Sequence, residues 1–81
     1  SAPNRSQKAQ KVSQEVLPMR CYENIATIGI ARGKINKLQE SFAEKSEDDA
    51  TDTDLEKIVD DMNTQLKIVK DAEAKTASLC E

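Results

Sequence analysis

Histidine and tryptophan are absent from this 81-residue chain, and tyrosine and phenylalanine occur once each. Without imidazole there is no Ser–His or Cys–His activation, no ordinary general base near neutral pH, and no nitrogen ligand for a metal. Without aromatics there is little to stack on nucleobases or sugars, and any core must be aliphatic. No apolar run approaches the roughly 20 residues that a membrane span requires. No stretch reads as a secretory leader. Cysteine occurs only at positions 21 and 80, too far apart for a C-x-x-C redox pair.

Other recognisable chemistry is missing too. Gly29-Ile30-Ala31-Arg32-Gly33-Lys34 lacks the full spacing of a phosphate loop. The acidic stretch Asp48–Asp54 fails the calcium-loop pattern, which needs Gly at the sixth position and Glu at the twelfth. Counting from Asp49 places Asp54 and Asp60 there, and counting from Asp48 places Thr53 and Val59. Glu40, Glu44 and Asp61 have no companion base or nucleophile, and a short hairpin can hardly enclose a pocket around them. The chain therefore reads as noncatalytic, with no cofactor and no metal site.

What is present is helical periodicity arranged about one acidic turn. If the chain folds back near Asp49–Thr51, residues facing each other across an antiparallel pair have numbers summing to about 101. Cys21 and Cys80 meet that condition, as do Phe42 and Val59, and Ile35 and Leu66. Steps of seven link Cys21, Ile28, Ile35 and Phe42 on one side, and Val59, Leu66, Glu73 and Cys80 on the other. The fold class predicted is all-α. The expected architecture is an antiparallel helical hairpin, with a short N-terminal helix over Gln7–Leu17 and completion as a dimeric four-helix bundle as open additions.

Residues 1–6 read as a flexible N-terminus and residues 7–81 as one small helical domain, with its main turn at 46–53. The first long helix is expected over about Met19–Lys45, unbroken apart from a local bend. Gly29 and Gly33, with Ala26, form a narrow small-residue strip, and the expectation is close helix packing there. Thr53 with Glu56 fits a capping box, which predicts Thr53 as N-cap of a helix over about Asp54–Ser78. The expected core or interface set is Ile28, Ile35, Leu38, Phe42, Val59, Met62, Leu66 and Val69.

The cysteine register predicts a structural disulfide, Cys21–Cys80, within one chain; a bridge between chains is the alternative. An intrachain bridge closes a loop of about sixty residues and stabilises by roughly 4 kcal/mol. It points to an extracellular or other oxidising compartment, whereas two free thiols would point to the cytoplasm. The terminal Leu79-Cys80, with a second cysteine nearer the N-terminus, resembles the secretoglobins, small secreted helical proteins that dimerise through such cysteines and enclose apolar ligands. Cys21 is not followed by that family's proline, and the acidic Ser46–Asp54 turn also departs from it, so no ligand site is carried over.

Net charge is −3, with basic residues Arg5, Lys8, Lys11 and Arg20 early and dense acid from Glu40 to Asp61. An acidic body disfavours general phosphate binding. The leading expectation is a noncatalytic helical protein-interaction module, either a stapled extracellular ligand or a subunit of a helical assembly. Its partner would be another protein or a second copy of itself. A small secreted carrier of an apolar molecule, or a nucleic-acid regulator using the basic N-terminal segment, are the alternatives.

Overall fold

A computed structural model describes residues 17–81. The expected flexible segment 1–6, the basic residues Arg5, Lys8 and Lys11, and all of the Gln7–Leu17 helix except Leu17 lie outside the described residues. Two helices, α1 (Met19–Glu47) and α2 (Asp52–Leu79), pack together as an antiparallel hairpin, with no strand among the described residues. They contain 29 and 28 residues, each about 43 Å long at the α-helical rise.

Helix α1 begins directly after Pro18, whose extended backbone (ψ 147°) feeds the first turn. The Pro18 carbonyl accepts from the Cys21 N–H at 2.9 Å. The helix runs unbroken through Gly29 and Gly33, neither of which has positive φ. It ends in a tight reversal. The Asp48 N–H donates to the carbonyls of Glu44 and Lys45, and the Ala50 N–H reaches back to the Lys45 carbonyl at 3.0 Å. That last bond is the six-to-one link of a Schellman-type end, which requires a left-handed residue just past the C-cap. Asp49 supplies it, with φ 56°.

The N-cap of α2 is Thr51, not Thr53. The Thr51 hydroxyl accepts from the Asp54 N–H at 3.2 Å. Both Thr51-x-x-Asp54 and Thr53-x-x-Glu56 offer a threonine followed three residues later by an acid. The earlier start wins two more helical residues and places both Asp52 and Asp54 in the first turn, where the helix dipole favours negative charge.

Burial reveals the seam. On α1, Cys21, Asn24 and Ala31 are buried and Ile28, Ile35, Leu38 and Phe42 half-buried. On α2, Ile58, Val69 and Ala72 are buried and Leu55, Met62, Gln65, Thr76 and Leu79 half-buried. Both series step by three and four residues alternately, the a and d rhythm of a coiled coil. Across the seam the Cys21–Cys80 bridge keeps the expected sum of 101 and the Asn24–Thr76 hydrogen bond sums to 100, so burial decides which residue of each adjacent pair faces inward. One residue is a rotation of about 100° on a helix. It moves Val59 and Leu66 off the seam to 38% and 43% exposure, and their neighbours Ile58 and Gln65 onto it.

The small seam side chains gather toward the open end. There Cys21, Asn24, Ala31, Ala72 and Thr76 alternate with Ile28, Val69 and Leu79, and the helices come close enough for the Asn24 side chain to reach a main-chain oxygen at 2.8 Å. Toward the turn the seam holds the buried Ile58 and, around it, Leu38, Phe42, Leu55 and Met62, left partly exposed because only one neighbouring helix covers them.

Candidate interaction surface

The open end is closed covalently. Cys21 and Cys80 form an intrachain disulfide with Cα atoms 4.6 Å apart, and no cysteine is free. Cys21 is 1% exposed. One layer inward, Asn24 Nδ2 donates to the Ala72 carbonyl at 2.8 Å and to Thr76 Oγ1 at 3.2 Å. The Thr76 hydroxyl in turn donates to the Ala72 carbonyl at 3.2 Å. This is the only buried polar side chain among the described residues, and it has partners. A polar residue at a seam position fixes alignment, because sliding the helices would strand its amide without acceptors. The apolar periodicity search overlooked Asn24; its place in the three–four rhythm between Cys21 and Ile28 was the available signal.

The seam divides the hairpin into two unlike flanks. On one, α1 presents Tyr22, Ile25, Ile28, Gly29, Ile35 and Phe42, and α2 presents Leu55, Val59, Met62 and Leu66. Ile25 is 51% exposed and Tyr22 43%. The only α1 charge among the seam positions and their neighbours on this side is Arg32, which bonds Glu73 of α2 at 3.0 Å. Both partners are at least half exposed, so the pair contributes at most about 1 kcal/mol. The other flank carries Arg20, Glu23, Lys34, Lys37 and Glu44 on α1 and Lys57, Asp61, Asp71 and Lys75 on α2. Ile30 and Ile68 are isolated exposed apolar residues on that polar side.

The sequence-selected residues therefore separate. Val69 is in the single-chain core. Ile28, Ile35, Leu38, Phe42 and Met62 sit at the seam, half-covered, and Val59 and Leu66 lie on the apolar flank. Phe42 and Val59 still line one shallow cleft with Leu55, edged on α2 by the carboxylates of Asp52, Glu56 and Asp60. Gly29 and Gly33 do not pack against α2: a Cβ built on either would meet nothing within 4 Å. They lie on the outward side of α1, where the single chain offers no neighbouring helix. Ile58, Ala31 and Ala72, absent from the expected core set, are three of its most buried members.

The clefts on both flanks are open to solvent and formed by the edges of the seam. No helix among the described residues is long and apolar enough to cross a membrane. The fold is a two-helix antiparallel hairpin closed by a disulfide. No family model, curated protein or solved structure matches the chain.

Proposed function

We propose that this chain is a noncatalytic helical interaction module working in an oxidising compartment. The observation that supports it most directly is the two-faced hairpin, with one flank almost uncharged on α1 and lined by partly exposed Ile25, Val59, Leu66 and Phe42. A two-helix seam covers these side chains on one side only. A partner helix laid along the flank would finish burying them, which is the way amphipathic helices recognise grooves. The disulfide holds both helices in place before the partner arrives, which reduces the ordering cost of association.

Two measurements test this. Protein from its natural source, with thiols trapped before lysis, is analysed by nonreducing mass spectrometry; free thiols at Cys21 and Cys80 would overturn the oxidising compartment. Separately, cross-linking in that source maps which residues carry a linked partner. Links concentrated on the apolar flank, and lost in Val59→Glu and Leu66→Glu variants, are expected. Links spread evenly over both flanks would overturn the docking reading.

A further inference from the structure

We propose that the apolar flank pairs with the same flank of a second copy, with the two hairpins side by side and pointing in opposite directions. This rests on the interaction-module reading and assigns its partner. The argument is charge. In the half of the hairpin nearest the turn, Asn36–Gln65, ten carboxylates outnumber Lys37, Lys45 and Lys57. In the half nearest the disulfide, Leu17–Ile35 and Leu66–Glu81, six basic side chains outnumber four acidic ones. The molecule is thus acidic at the turn and mildly basic at the bridge.

Two copies aligned in the same direction would bring two acidic turns together. Opposed copies bring each acidic turn beside the other's basic half, so the favourable orientation is the antiparallel one. A twofold axis through such a pair passes near mid-hairpin, close to Ile35 and Leu66. Leu66, 43% exposed in one chain, would then meet its own counterpart. The product is a four-helix bundle in which Phe42, Leu55, Met62 and Ile35 gain the second layer of cover that one hairpin cannot give them. Gly29 lies at the edge of the same flank, and its open Cβ position leaves room there for a partner backbone.

The test is sedimentation equilibrium of the full oxidised chain, with circular dichroism to confirm that each variant remains helical. The wild type is expected as a dimer at about 100 μM. Leu66→Glu and, independently, Val59→Glu should weaken association roughly tenfold or more. Ile30→Glu, on the polar flank, should leave it unchanged. Raising ionic strength from about 0.05 M to about 0.5 M should loosen the dimer, because it screens attraction between unlike halves. A monomeric wild type, or a dimer indifferent to both flank variants, overturns the proposal. A dimer tightened by salt overturns the antiparallel orientation. A monomer whose natural-source cross-links still map to the apolar flank would remove the second copy while leaving the interaction module standing.

Discussion

Breaking the Cys21–Cys80 bridge should remove about half of the stability of the hairpin. The bridge spans a sequence separation of 59 residues, for which the chain-entropy relation gives about 4 kcal/mol. Against this stands a small core. Among the described residues, Ile58 and Val69 are the only large aliphatic side chains that are buried, and each contributes about 1.5–3 kcal/mol on full burial. The remaining buried residues are small or polar, and a single core in a chain this size rarely supplies more than about 3–5 kcal/mol in all. The assay is thermal unfolding followed by far-ultraviolet circular dichroism, comparing oxidised protein with the Cys21→Ala/Cys80→Ala double variant. Alanine is chosen because a serine at Cys21, which is 1% exposed, would bury a hydroxyl. At about 4–8 °C per kcal/mol for a domain of this size, the midpoint should fall by roughly 15–30 °C. Runs at several protein concentrations separate this from self-association, whose contribution rises with concentration. A fall of less than about 5 °C at low concentration would refute the reasoning, because it would mean the two-helix seam holds itself together.

Ile58→Ala should cost about 2–4 kcal/mol in urea unfolding, and Val59→Ala less than about 1 kcal/mol in the monomer; the reverse ranking would place the seam one residue away. Asn24→Ala, which removes the donors to the Ala72 carbonyl and Thr76, should cost about 1–2 kcal/mol by the same method. An unchanged midpoint would show the amide to be dispensable. Native-state hydrogen exchange should be slowest at the amides around Asn24–Ala31 and Val69–Thr76, where small residues close the seam, and faster around Leu38–Phe42 and Leu55–Met62. Uniform protection at low concentration would contradict that gradient, whereas protection of the turn half that grows with concentration would report pairing of hairpins.

The hairpin and its bridge were legible because they depend on coarse quantities. Two long helical patterns, one acidic break and cysteines equidistant from it leave few alternatives. The seam was less legible because it depends on which of two adjacent residues faces inward. Taking Val59 and Leu66 as facing residues follows from their summing to 101 with Phe42 and Ile35, yet the structure seats Ile58 and the polar Gln65 at the seam. Hydrophobicity could not separate Ile58 from Val59. Alternation by three and four residues on both helices could, but only if Asn24, Gln65 and Thr76 were admitted as seam members. The N-cap shifted for a related reason, since Thr51 and Thr53 carry the same chemical signal two residues apart. The glycines find no neighbouring helix within the single chain, because a small-residue strip says that close approach is possible without saying to what.

The two ends of the hairpin are held by different means, and the difference explains where the exposed apolar surface lies. At the turn, four residues, among them a left-handed Asp49, connect the helices, so bulky seam residues beside it cannot drift apart even when half-exposed. At the open end, no local connection exists. There the seam mixes the small and polar Cys21, Asn24, Ala31, Ala72 and Thr76 with Ile28, Val69 and Leu79, and a covalent bond and the Asn24–Ala72–Thr76 hydrogen bonds add to the closure. Placing the bridge there frees the large apolar side chains from holding the hairpin together. Phe42, Leu55, Met62, Val59 and Leu66 can remain incompletely covered in a single chain while the backbone beneath them stays fixed. A surface of that kind, apolar but already ordered, keeps more of its burial energy for a partner than the same side chains on a loose helix pair would.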